Sequence, residues 1–552
     1  MSETISLRPI LDVARDAGLS DTELELYGPY KAKVTLESLK TRRESGKHGK
    51  LVLVTAISPT PAGEGKTTTT IGLAMGLWRL GVKAIPSLRE PSLGPVFGVK
   101  GGATGGGQSM IHPMADINLH CTGDLHAITA ANNLLAAVID NHIQNGNVLS
   151  IEPRSVTWKR CLDMNDRGLR KIISGLGGKS EGVPTETGFE ITAASEIMAI
   201  LCLAESLADL KVRLARTVIG VDTTNNPVTV EQLGIAGALT ALLRDAFRPN
   251  IVQTTEGTPV IVHGGPFANI AHGCSSVQAT RLALALGDIC LTEAGFAADL
   301  GAEKFLDIKM RQTGLKPDAA VLVATIRALK WHGGVEKKED LPTENVVAVA
   351  KGFANLLRHA ENLKKFGLPV IIGINRFLAD SDEEIATLTR LCDAHGLPIA
   401  LNDGWAEGGK GAEALAKLLL ETLETETANF KPLYTNETPL KAKIETIARE
   451  IYRAESVNFT SDALKRMRYL TRRGFGALPI CVAKTQYSFS DDPDARNAPT
   501  GHSITIRDVK LSAGAGFVVA YAGTLLTMPG LPAIPSAVNV DCDDDGNITG
   551  LF

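Results

Sequence analysis

Lys50-Leu-Val-Leu-Val-Thr-Ala-Ile57, Ser58-Pro-Thr60-Pro61-Ala62-Gly63-Glu64-Gly65 and Lys66-Thr67-Thr68-Thr-Thr-Ile-Gly-Leu-Ala-Met-Gly-Leu-Trp-Arg-Leu80 follow one another without a break. The first block is a short apolar run rich in Val and Leu, the pattern of a strand buried on both faces. The third is a helix over 66–80, stopped by Gly81. Between them lies a Gly/Pro loop ending in Gly-Lys-Thr, the setting a phosphate-binding loop requires. Glycines there let backbone N–H groups converge on phosphate oxygens at the positive end of a helix. Lys66 can reach the β and γ phosphates, and the Thr67 hydroxyl can ligate Mg2+. The candidate nucleotide contacts are therefore Thr60, Pro61, Ala62, Gly63, Glu64, Gly65, Lys66, Thr67 and Thr68, with Thr67 as the candidate metal ligand. Thr60 stands where the strict motif has Gly.

Outward from this unit, apolar runs alternate with Gly-punctuated helical stretches. Strands are expected at 83–88, 260–263, 288–292, 319–324 and 369–375, and helices at 413–424 and 440–459. The fold class is α/β: a P-loop NTPase-like, mostly parallel sheet flanked by helices, with two smaller α/β or α+β domains toward the C-terminus. The expected division is 1–360, 361–455 and 456–552. In an open sheet of this kind, ligands gather at the carboxyl ends of the strands.

The chain has 552 residues, is 44% hydrophobic, and carries 57 basic against 61 acidic side chains for a net charge of -4. Such a length supports several domains. The charge balance gives no footprint for nucleic acid or an anionic membrane. No apolar run approaches the roughly 20 residues that span a bilayer, and the N-terminus lacks a signal-peptide pattern, so a cytoplasmic protein is expected. Eight scattered cysteines without a CxxC pair read as reduced, mostly buried thiols.

A phosphate loop alone does not choose among ligases, switches and motors. A second loop is more specific: Arg89-Glu90-Pro-Ser-Leu-Gly-Pro-Val-Phe-Gly-Val-Lys100-Gly-Gly-Ala-Thr-Gly-Gly-Gly107, where glycines interleaved with Phe97 and Val99 permit close backbone approach to a small or flat ligand. Together with Val323-Ala-Thr-Ile-Arg-Ala-Leu-Lys-Trp-His-Gly-Gly334, His263-Gly-Gly-Pro-Phe-Ala-Asn-Ile-Ala-His272, Thr292-Glu-Ala-Gly-Phe-Ala-Ala-Asp299-Leu-Gly-Ala-Glu-Lys304, Ala483-Lys-Thr-Gln-Tyr487 and Thr527-Met-Pro-Gly-Leu-Pro532, these loops resemble the formate-tetrahydrofolate ligase family nearly end to end. The chain departs from the family pattern at Thr104, Gln108 and Thr524, where Ala, Tyr and an acidic residue are usual.

The resemblance implies ATP-dependent ligation of formate to tetrahydrofolate through formyl phosphate, giving 10-formyltetrahydrofolate, ADP and phosphate. Formate is a resonance-stabilised anion, and an amine attacks it only after one oxygen becomes a leaving group. Lys66 and Arg89 are the catalytic candidates: the ammonium neutralises the transferred phosphate, and the planar guanidinium fork holds formate and the acyl phosphate. Glu90 joins Arg89 as a substrate-binding candidate. For tetrahydrofolate the resemblance points to Phe377 in Ile374-Asn-Arg-Phe and Trp405 in Asp403-Gly-Trp-Ala-Glu, whose two faces suit a flat heterocycle. It also implies a homotetramer, and leaves open activation by a monovalent cation, K+ or NH4+.

His112, His120, Cys121 and His126 match no metal-ligand spacing. Asp541-Cys-Asp-Asp-Asp-Gly546 begins like a calcium loop, but Phe552 occupies the position needing a bidentate Glu, and a hairpin turn is the better reading. The rival functions are a P-loop nucleotide switch, whose Asn-Lys-x-Asp element Arg376 and Phe377 break, and an ATP ligase for another carboxylate.

Overall fold

A computed structural model describes residues 6–46, 48–61, 63–100 and 102–551. Ala62, one of the expected loop contacts, lies outside them. The expected strand–loop–helix unit is present as β1 (Lys50–Ala56) and α1 (Lys66–Arg79). Further along the chain come β2 (Ala84–Leu88), β3 (Pro259–Val262), α2 (Val277–Leu286), β4 (Ile289–Glu293), β5 (Ala319–Ala324), α3 (Ile326–His332), α4 (Val346–Lys365), β6 (Val370–Asn375), β7 (Ile399–Asn402), α5 (Gly404–Gly411) and α6 (Glu413–Thr425).

The seven strands form a parallel array in the order β3-β2-β4-β1-β5-β6-β7. Strand Asn250–Thr254 adds antiparallel to β3, and Ala32–Val34, Leu24–Leu26 and Ser109–His112 extend that edge. The fold is thus α/β with a large, mostly parallel sheet. Residues 361–455 supply β6 and β7 to this same sheet.

Alternation along β1 divides the core. Val52, Val54 and Ala56 pack with Leu73, Leu77, Leu415 and Leu419 of α1 and α6, whereas Leu51 and Leu53 face the cluster holding Leu282, Leu356 and Phe366. A separate helical layer, including Asp124–Gln144, Glu196–Leu203, Leu207–Ala215 and Ala236–Leu243, has its own core and interrupts the α/β alternation between β2 and β3.

The stretch 440–459, expected as one helix, is a helix only over Leu440–Glu450. Arg453 then takes a positive φ of 57°, and Ser456–Phe459 becomes a strand parallel to Ser503–Ile506. The apolar residues Val457 and Phe459 already alternated with polar ones, the period of a strand. The loop 89–107 is likewise more ordered than expected, with helical turns at Leu93–Lys100 and a two-residue strand at Gly105–Gly106. Near the C-terminus Ile480–Ala483, Phe517–Tyr521 and Asp508–Ser512 form a small sheet, and Asp541–Cys542 pairs with Ile548–Thr549 in the expected hairpin. This part is joined to the main body by an ion pair of 2.8 Å between Lys484 and Asp299, both at most 1% exposed.

Helices α1 and α5 meet backbone to backbone at Gly72, Gly76, Gly404 and Gly409. A Cβ at Gly409 would lie 2.8 Å from the Met75 carbonyl carbon, so Gly409→Ala must separate the helices. A cost of about 1–3 kcal/mol is expected, read as a lower unfolding midpoint. Gly237→Ala, inside helix Ala236–Leu243 with nothing within 4 Å of the added carbon, should leave the midpoint unchanged or raise it.

Candidate functional site

The loop after β1 is held by side chains from neighbouring strand ends. Gly63 and Gly65 have positive φ of 78° and 68°, and a side chain at Gly65 would overlap the Asn375 amide at the end of β6. Glu64 points inward, and its carboxylate accepts the Thr60 N–H at 2.6 Å and the Thr325 hydroxyl. Thr325 also caps α3, accepting the Ala328 N–H at 3.2 Å. Asn375 Nδ2 donates to the Glu64 carbonyl at 3.2 Å, and Arg327 donates to the Gly63 carbonyl. Upstream, Ser58 is gripped by Asn355, His359 and His332, whose Nε2 meets the Ser58 carbonyl at 3.0 Å. Burial lowers the His332 pKa to about 4. A neutral ring can therefore donate from Nε2 while Nδ1 accepts the Asn497 N–H at 2.9 Å.

Lys66, Thr67 and Thr68 open α1, whose N-terminal residue Gly65 is left-handed. The Thr67 hydroxyl donates to Glu293 Oε2 at 2.7 Å, and the other oxygen of that carboxylate lies 3.7 Å from the Arg89 guanidinium. Glu293 ends β4, the strand between β1 and β2, so three adjacent carboxyl ends deliver a hydroxyl, a carboxylate and a guanidinium to one place. Arg89 is partly exposed, and its buried Nε has no hydrogen-bond partner among the described residues. Glu90 lies elsewhere. Its carboxyl is buried beside Asp124 and Lys33, themselves paired at 2.7 Å, and burial followed by the Asp124 charge pushes its pKa well up.

Phe377 and Trp405 follow the adjacent strands β6 and β7. Trp405 is 45% exposed. Its carbonyl accepts the Gln108 N–H at 2.8 Å, fastening the glycine hairpin 105–109 over α5. Gly106 is held close to both the Trp405 indole and the Thr68 hydroxyl. Phe377 is half-buried, with the Arg327 guanidinium 4.0 Å from its ring centroid. The two rings do not touch each other. The Phe377 N–H donates to Asp380 at 2.9 Å, and burial raises the Asp380 pKa to about 6.

Glu64, Glu293, Thr325, Arg327 and Asn375 carry much of this geometry; the sequence singled out only Glu64 of them, and as a nucleotide contact, not as the carboxylate that anchors the loop. Four of the five stand at or just past the carboxyl ends of β4, β5 and β6, a position that itself could have flagged them. Among the described residues no group of three or more His, Cys, Asp and Glu is arranged to hold a metal, and no helix is long and apolar enough to cross a membrane.

Glu64→Ala removes the acceptor for two buried donors. A loss of about 1–3 kcal/mol is expected, together with weaker ADP binding in calorimetric titration. Asp380 gives a pH signature: a raised folded pKa favours the protonated carboxyl, so its contribution to stability is present below about pH 4 and lost as pH rises through about 6. Asp380→Asn should therefore unfold at a higher temperature than the parent at pH 8, by at most about 3 kcal/mol, with the difference vanishing near pH 4.

The model of the family described as formate–tetrahydrofolate ligase matches residues 1–552. The chain therefore belongs to that family, the ATP-dependent enzymes that join formate to tetrahydrofolate.

Proposed function

We propose that the loop 60–68 holds the ATP phosphates, that Arg89 holds formate beside them, and that the reaction runs through formyl phosphate. The observation that carries this reading is the carboxylate of Glu293, shared between the Thr67 hydroxyl at 2.7 Å and the Arg89 guanidinium at 3.7 Å. A hydroxyl suited to a phosphate-bound cation and a fork suited to a planar oxyanion are thereby neighbours. Thr67 and Glu293 offer hard oxygen donors, which fit Mg2+ with few protein ligands. When bound, the ion supplies positive charge to the phosphate oxygens.

In the first step a formate oxygen attacks the γ phosphorus as its bond to the bridging oxygen breaks, releasing ADP. Lys66 neutralises the transferred group while Arg89 keeps the attacking oxygen in line. In the second step N10 of tetrahydrofolate attacks the formyl carbon. Backbone amides of the glycine loops, Lys66 and Arg89 stabilise the oxyanion. The carbon–oxygen bond to phosphate then breaks, and the nitrogen's proton passes to the departing phosphate. Phe377 and Trp405 present the pterin from the ends of β6 and β7. Residues 1–360 thus carry the nucleotide and formate groups, 361–455 the folate-facing rings, and 456–552 a small C-terminal unit, in a cytoplasmic homotetramer of one-carbon metabolism.

The test is ADP release from ATP with formate and tetrahydrofolate supplied singly and together, repeated with GTP, with acetate, and with K+ or NH4+ replaced by Na+. Formylation that needs both substrates is expected. GTP hydrolysis indifferent to folate would favour a switch, and equal use of acetate a different ligase. Lys66→Ala and Arg89→Ala should each lower formylation by about 10²–10³-fold or more without moving the unfolding midpoint; wild-type turnover in either variant contradicts its assigned role.

A further inference from the structure

The segment Thr325-Ile-Arg-Ala-Leu-Lys330-Trp-His-Gly-Gly334 stands out in the sequence, and most of it is absorbed by structure. Lys330 pairs with Glu384 at 2.9 Å in full burial, Trp331 lies under the Arg496 guanidinium at 3.6 Å, and His332 props the Ser58 carbonyl. Arg327 is different because it reaches two places at once. One face of its guanidinium covers the Phe377 ring at 4.0 Å, one edge donates to the Gly63 carbonyl, and its Nε stands 3.7 Å from the Glu64 carboxylate with no hydrogen bond made.

A planar fork can stack by its face and bond by its edge simultaneously, which an ammonium cannot do. The contact at Gly63 fixes more than one atom. In a trans peptide the carbonyl of Gly63 and the N–H of Glu64 point in opposite directions, so Arg327 sets where that loop N–H is aimed. The contact at Phe377 makes the guanidinium sensitive to anything that presses or shifts the ring. The idle Nε beside Glu64 gives it a second bonded position within a small displacement.

We propose that Arg327 is a positioning residue that couples the two substrate sites: a pterin stacked on Phe377 fixes the guanidinium, which fixes the phosphate loop, so that folate and nucleotide each tighten the binding of the other. This rests on the assignment of Phe377 to the folate site. Coupling of this kind is reciprocal and is measured as the ratio of affinities for one ligand with and without the other.

The experiment titrates ADP into the full-length enzyme with and without saturating tetrahydrofolate, and the reverse, in the parent, Arg327→Met and Arg327→Lys. In the parent the ratio should be about fivefold or more and equal in both directions. In both variants it should fall to near one, Lys included. A merely structural role would weaken ADP binding but leave the ratio intact, and that result overturns the proposal, as does a parent ratio of one. Phe377→Ala separates the two layers: it should lose tetrahydrofolate affinity, and parent-like folate binding would instead overturn the placement of the pterin, and the coupling with it.

Discussion

A buried carboxylate, that of Glu64, ties a loop of glycines and prolines to itself and to the strand beside it. Glycine-rich segments bring backbone close to a ligand at the cost of conformational entropy, and the opposing constraint must come from elsewhere. Here it comes from the carboxyl ends of the two strands on one side of β1: Thr325 and Arg327 after β5, and Asn375 at the end of β6. The bonds from Thr325 and Asn375 are made to buried groups of Glu64 that would be left unsatisfied if the loop rearranged. The loop after β1 is therefore tied to the sheet through the neighbouring strand ends.

On the other side of β1 the same logic arranges charge. Glu293 ends the neighbouring strand and stands between a hydroxyl and a guanidinium, while Glu90, one residue beyond Arg89, is turned into a separate buried group with Asp124 and Lys33. The two carboxylates thus have different partners. Burial and the neighbouring Asp124 charge drive Glu90 toward its neutral form. Consecutive residues of a single turn face the Glu293 carboxylate and the buried interior respectively.

How far this was readable without coordinates depended on the range of the interaction. Lys50–Ala56 and Lys66–Arg79 were legible because strand and helix periods and the Gly-Lys-Thr turn are local signals. Fitting two strands from residues 361–455 into the same sheet needed pairings across sequence, which composition does not encode. The strand at Ser456–Phe459 was hidden by the preceding helix, although its alternation was visible once the positive φ at Arg453 marked the break. Arg89, Lys66 and Thr67 could be named from motif and chemistry. Glu293 and Arg327 could not, because their meaning comes from partners 226 and 264 positions away in the chain. Phe377 and Trp405 were named by resemblance; locally only the glycines around Trp405 favoured a binding role, and nothing beside Phe377 distinguished it from a core aromatic.

The ion pair between Lys484 and Asp299 carries an implication for how the chain can vary. Both partners are sealed from solvent, and removing one of such a pair leaves a stranded charge whose cost is about 3–5 kcal/mol. Asp299 stands only six positions after Glu293, on the segment that leaves β4. A shortened chain lacking its last seventy residues would leave Asp299 without its partner on the segment that leaves β4. The far end of the chain thus constrains a turn in its middle, and trimming one strands a charge in the other.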